Sequence, residues 1–249
     1  MLEAKDRDGI VILTMKHGKA NALDIEFCDA IAARFEAMKD ARAVVLTGQG
    51  RIFSAGVDLV RLLDGGPDYI REFLPVLDRC FRAVFEFPKP VVAALNGHAV
   101  AGGCLLACAA DRRIIGRDGG RVGVTELQVG VPFPPLALEI MRFATAPHLF
   151  EDVILGASTH APEAARERGL VHEIVPPETV LDRAIAVASS LAAISPAAYA
   201  LSKRQTRREA FAASERDEHL HGAEINRLWT SPEALGCVRD YVSRTLKKA

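Results

Sequence analysis

The chain has 249 residues, 49% hydrophobic and 25% charged, an ordinary globular composition that is long enough to bury one substantial core. Thirty-one basic residues against thirty-two acidic leave a formal charge of −1, which excludes any global attraction to nucleic acid or to an anionic membrane. No apolar run reaches the ~20 residues of a membrane span, the charged start MLEAKDRDG lacks a signal-peptide core, and five cysteines without metal-type spacing fit a reduced, cytoplasmic setting.

Residues 9–15 (GIVILTM), rich in β-branched side chains, predict a strand. After a loop at 16–23, Asp24 is placed to cap a helix running to about residue 39, with Ile25, Cys28, Ile31, Ala32 and Phe35 on one face. Residues 43–47 (AVVLT) predict the next strand, broken by Gly48-Gln49-Gly50. RIFSAGVDL at 51–59 then puts small residues and a glycine at a loop-to-helix junction. A short helix from Val57 to Leu63 should stop at Asp64-Gly65-Gly66-Pro67, and a second should span 68–85.

Beyond Pro88-Lys89-Pro90, residues 91–95 (VVAAL) read as a fully buried strand and Asn96-Gly97-His98 as a turn. Residues 99–110 follow, almost uncharged and full of small side chains, and Asp111 ends them. A helix with no polar face has to be buried all round. A strand at 112–115 and a turn at 117–120 come next. Through 122–135 the prolines, ending in Pro132-Phe133-Pro134-Pro135, forbid a long regular element. Helices at 136–143, 147–155 and 162–168 and a strand at 171–175 complete an α/β alternation. From residue 178 the chain reads as mainly helical, with a break at Ser195-Pro196.

Gly102-Gly103 opens the apolar helix, and glycine there costs helix stability. Two readings compensate. The glycines let two elements pack closely, or they let backbone N–H groups at a helix start reach a negatively charged ligand atom. The FSAG junction offers the same choice a second time, so two junctions could supply two N–H donors.

Together FSAGVDL and NGHAVAGGC resemble the signature of the crotonase, or enoyl-CoA hydratase/isomerase, superfamily. The likeness extends to Asn21-Ala22-Leu23, the Glu126 region and GLVHEIVP at 169–176. It implies a spiral of repeated strand-strand-helix units over 1–195 and a C-terminal helical module over 196–249. It also implies an acyl-CoA thioester substrate, with coenzyme A as part of that substrate and no separate cofactor or metal. The implied assembly is a homotrimer or a dimer of trimers, whose C-terminal helices cover the active site, often from a neighbouring subunit.

Residue by residue, the resemblance assigns the oxyanion donors to the N–H groups of Ala55 and Gly102, the coenzyme A loop to Lys19 and Ala20, and substrate contacts to Gly56, Val57 and Asp58. Hydratases of the family use two glutamates. The position of the first is Leu105 here, and Thr125-Glu126-Leu127 matches the second. One carboxylate suits a proton shuttle, and LQVGVPF at 127–133 is similar to the one-glutamate enoyl-CoA isomerases. Leu105 and Phe133 would then line an apolar acyl pocket. The expectation is an isomerase moving a 3-enoyl-CoA double bond to the 2-position, with a hydratase, an acyl-CoA hydrolase or a catalytically silent acyl-CoA binder as alternatives. His98, Asp58 and Asp111 are expected to be backbone-satisfied, capping and structural respectively.

Overall fold

The computed structural model describes residues 1–245. Its first two strands, β1 (Leu2–Arg7) and β2 (Ile10–Met15), pair antiparallel and lead into α1 (Ile25–Ala37). Asp24 caps α1 by accepting from the Phe27 N–H at 2.8 Å. The chain then repeats one unit, strand, short strand, helix. The first copy is β3 (Ala43–Thr47), β4 (Ile52–Ser54) and α2 (Leu59–Glu86). The second is β5 (Val91–Leu95), β6 (His98–Val100) and α3 (Gly102–Cys108). The third is β7 (Arg112–Gly116), β8 (Val122–Gly123) and, after an irregular stretch, α4 (Pro135–Ala144).

Each unit gives one strand to each of two sheets. With β9 (Thr159–His160) and β10 (Glu173–Val175) added, the larger sheet has the order β1-β2-β3-β5-β7-β10 and the smaller β4-β6-β8-β9. From β2 to β10 the larger sheet is parallel. That explains the unbroken apolar runs of β3 and β5, since a parallel sheet is covered on both faces. Along them the side chains alternate. Val44, Leu46, Val91, Ala93 and Leu95 enter the main core, while Val45, Val92, Ala94 and Ile114 meet Val180, Ala184 and Ala188. Those three lie on α7 (Val180–Ala192), which follows α5 (Phe150–Leu155) and α6 (Pro162–Glu167).

The two helices expected at 57–63 and 68–85 are both present within the α2 range, meeting at a kink at Gly66, whose φ is 63°. Two expectations need correction. The helix expected at 99–110 starts only at Gly102, because residues 98–100 pair into the smaller sheet. Five strands were not anticipated at all: β1, whose outer half is solvent-exposed, and β4, β6, β8 and β9, which are two or three residues long.

The C-terminal part is helical, as the residues after 178 suggested. It continues in α8 (Pro196–Trp229) and α9 (Pro232–Thr245). The expected module runs on to residue 249, and 246–249 lie outside the described residues. Asp111 pins α8 to the core. Its carboxylate accepts from Lys203 Nζ at 2.8 Å, from an Arg207 guanidinium nitrogen at 2.7 Å and from the Val91 N–H at 2.7 Å. The Arg207 guanidinium also stacks over the Phe85 ring, 4.1 Å from its centre. Among the described residues no single helix is long and apolar enough to cross a membrane.

Candidate active site

The two glycine junctions meet face to face. At the first, β4 runs out through Ala55 and Gly56, and Asp58 caps α2 by accepting from the N–H groups of Val60 and Arg61 at 3.1 and 3.0 Å. Asn21 holds this turn. Its Nδ2 donates to the Phe53 carbonyl at 3.0 Å, and its own carbonyl accepts from the Ser54 hydroxyl at 2.7 Å. Leu23 clamps the other side, donating to the Gly56 carbonyl at 2.8 Å and accepting from the Asp58 N–H at 2.9 Å. Asn21-Ala22-Leu23 therefore acts as the brace of the first junction.

At the second junction, Ala101 takes a φ of 50° and Gly102 opens α3. Contact between the junctions leaves no room for side chains. A Cβ at Gly103 would lie 2.2 Å from the Ser54 carbonyl oxygen. Gly56 has a φ of 88°, and its Cβ would fall 2.9 Å from the Gly102 nitrogen. Gly102 itself is less confined: its Cβ would lie 3.0 Å from a Leu23 methyl and at ordinary contact distance, 3.5 Å, from the Gly56 Cα and the Val57 nitrogen. The glycines let the junctions interlock, with the Gly102 nitrogen packed close against Gly56, the residue after Ala55.

The Gly102 N–H sits at the first position of α3, where no intrahelical carbonyl is within reach. The Ala55 N–H differs, because it donates to the Ala20 carbonyl at 3.0 Å. A ligand oxygen addressing Ala55 has to displace or share that acceptor.

Glu126 faces these junctions across a cavity of about 60 Å³. Ala55, Val57 and Ala101 form one side of it, and Leu62, Val129 and Val131 the walls. Glu126 opens a single 3-10 turn (Glu126–Val129), closed by Gly130 in the left-handed region, with the Val131 N–H bonded back to the Glu126 carbonyl at 3.2 Å. The expected irregular path at 122–135 is therefore a short β-strand and one tight turn. Glu126 is only 6% exposed, and its Oε2 is buried with no hydrogen-bond partner. Burial pushes its pKa from 4.5 up to about 7, against a downward pull from the backbone N–H groups of Glu126 and Thr125.

Trp229, Val238 and Tyr241 close the cavity. They come from α8 and α9 of the same chain, so the C-terminal helices cover this chain's own site. Neither junction signalled these residues in the sequence. The available clue was Val238 and Tyr241 at helical i, i+3 spacing, nine residues and more after the chain's one tryptophan, Trp229.

Of the other expected site residues, Gly56 is buried in the junction contact and Val57 lines the cavity. Lys19 is exposed and Ala20 half-buried on the neighbouring loop. Leu105 and Phe133 are not among the cavity-lining residues; both pack in the main core, 2% and 6% exposed. α3 turns Leu105 inward, a direction that its spacing from Gly102 does not reveal. His98 accepts from the Arg121 N–H at 3.2 Å. A larger cleft of about 400 Å³ lies between α2, α4 and α8, but it touches neither junction nor Glu126.

The sequence profile of the Enoyl-CoA hydratase/isomerase family matches residues 5–227. A putative enoyl-CoA hydratase of Thermus thermophilus is 37% identical over 68% of this chain and 67% of its own length. The human mitochondrial enoyl-CoA delta isomerase 1 is 27% identical over 80% of this chain and 68% of its own. The crystal structure of a probable enoyl-CoA hydratase from Mycobacterium tuberculosis superimposes with a TM-score of 0.84 at 30% identity, covering 91% of this chain and 96% of that one. That of human mitochondrial delta3-delta2-enoyl-CoA isomerase gives 0.93 at 22% identity over 99% and 98%, a likeness of fold.

Proposed function

The chain belongs to the enoyl-CoA hydratase/isomerase family and has the crotonase fold, and from that premise we propose that it moves the double bond of a 3-enoyl-CoA to the conjugated 2-position with Glu126 as the sole proton carrier. The observation that carries this reading is the lone Glu126 carboxyl, buried at the cavity without a hydrogen-bond partner for Oε2 and with its pKa brought to about 7. A base that must take a proton and give the same proton back works best when its pKa is near the working pH.

In this scheme the ionised Glu126 removes a C2 proton. Charge moves onto the thioester oxygen, which accepts from the Gly102 N–H and from the Ala55 N–H as the latter exchanges the Ala20 carbonyl for substrate. The Gly102 N–H, which has no intrahelical partner, stabilises developing charge without reorganising, whereas the Ala55 N–H first has to leave the Ala20 carbonyl when substrate binds. The protonated Glu126 then returns the proton at C4, and the carboxylate is regenerated. Lys19 and Ala20, on the loop beside Ala55, are proposed to meet the coenzyme A portion. The assembly is proposed to be a homotrimer or a dimer of trimers, and sedimentation showing a stable monomer at micromolar concentration would count against it.

A hydratase is the second reading, favoured by the names of relatives such as the Thermus thermophilus protein. Hydration needs a further group to handle the water's proton, and position 105 offers a leucine in the core. Parallel turnover assays on a 3-enoyl-CoA and on crotonyl-CoA separate the two. Double-bond migration with poor hydration is expected, and efficient crotonyl-CoA hydration by the wild type would overturn the isomerase assignment. Binding without turnover of either would favour a silent acyl-CoA binder.

A further inference from the structure

We propose that the cavity beside Glu126 is a fixed acyl chamber that restricts this protein to short acyl groups of about four to six carbons, with Trp229 as the side chain that sets the limit. The proposal rests on the acyl-CoA reading given above and adds the substrate class. The first ground is size. The cavity holds about 60 Å³. One water-sized occupant needs roughly 10–15 Å³ by the same measure, so the space accepts about four to six non-hydrogen atoms. Apart from Thr125, Glu126 and the Tyr241 hydroxyl, its lining side chains present carbon surface or indole, which suits a hydrocarbon chain.

The second ground is that the closing side has little freedom to retreat. Trp229 is 3% exposed, and its indole N–H donates to the Pro132 carbonyl at 2.8 Å. Pro132 follows Val131 on the loop that carries Glu126, so the wall and the proton carrier are tied to one backbone segment. α9 seats on that loop too: a Cβ at Gly130 would fall 3.0 Å from the Cys237 side chain. At its other end α8 is held by the buried contacts of Lys203 and Arg207 with Asp111. Admitting a long chain would require Trp229 to give up its hydrogen bond and its buried position together.

Binding of saturated butyryl-, hexanoyl- and decanoyl-CoA, measured by calorimetry on the wild type, Trp229→Ala and Trp229→Phe, tests this without requiring turnover. In an open site each further buried methylene tightens binding by about four-fold. The wild type should instead bind decanoyl-CoA at least about ten-fold more weakly than hexanoyl-CoA. Trp229→Ala should abolish that preference, and Trp229→Phe, which keeps a wall but not the indole bond, should largely retain it. Wild-type binding of decanoyl-CoA as tight as that of hexanoyl-CoA would overturn the proposal, whatever the variants do. So would an unchanged preference in a folded Trp229→Ala. Length-selective binding with no double-bond migration would sink the isomerase reading and leave the chamber standing, whereas no acyl-CoA binding at all would overturn both.

Discussion

Two of the carboxyl groups largely removed from bulk water, those of Asp111 and Glu126, are treated in opposite ways. Asp111 is surrounded: Lys203, Arg207 and the Val91 N–H all bond its oxygens. Glu126 has Oε2 unpartnered and burial holding it towards its neutral form, with a pKa of about 7. Burying a charge is costly unless it is paired, and an unpaired carboxyl responds by keeping its proton. A fold gains nothing from an acid of the second kind, whereas a site that has to pass a proton does. Asp111 joins α8 to the core, and Glu126 serves the cavity that α8 closes.

The largest effect should come from the structural acid. Asp111→Ala leaves two buried cations without their counter-charge, so denaturant unfolding should show a loss of about 3–5 kcal/mol. Burial already holds Lys203 down, to about 8, against the pull of Asp111, so removing Asp111 lowers it further. Activity per folded molecule should be largely kept. A fall in turnover with unchanged stability would mean that Asp111 belongs to the site and the contrast with Glu126 is false.

Next comes the mirror experiment. Glu126→Gln keeps the size of the side chain and removes the base, so isomerisation should fall by about 10²-fold or more while acyl-CoA affinity persists. Stability at neutral pH should not drop, because no ion pair is lost. If Glu126→Gln turned over like the wild type, the proton carrier would lie elsewhere.

The difference between these acids was only partly legible in the sequence. Local chemistry announced Asp24 and Asp58 as caps, the apolar runs of β3 and β5 as buried strands, and the glycine junctions as special places. These depend on near neighbours or on periodicity. The pairing of Asp111 with Lys203 and Arg207 spans 92 and 96 positions, and no local pattern carries such a distance. The same holds for Trp229, which reaches Pro132 across 97 positions. The smaller sheet escaped notice because its strands are too short to show an alternation. Leu105 is the reverse case: the resemblance places it at an acyl pocket, but it packs in the core, and a seven-residue helix buried on all sides has no sequence-visible pocket face.

The pH dependence, spread over about two to three pH units, is the most direct measure of how alone Glu126 is. Its pKa is raised from 4.5 to about 7 on folding, so the folded protein holds a proton that the unfolded chain has released between those values. The stabilising contribution of the neutral carboxyl is complete below pH 4.5 and is lost as pH rises through about 7. A shift of this size corresponds to about 3 kcal/mol. Other groups titrate in the same range, so the informative quantity is the stability of Glu126→Gln minus that of the wild type, by urea denaturation at each pH. That difference should move in favour of the variant from pH 5 to about pH 7.5 and then level off. Catalysis should run the other way, because only the ionised form takes the C2 proton: kcat/KM should rise about tenfold per pH unit below 7 and flatten above it. A flat stability difference, with kcat/KM already level at pH 5.5, would show a solvated or partnered carboxylate, and the distinction between the two buried acids would be gone.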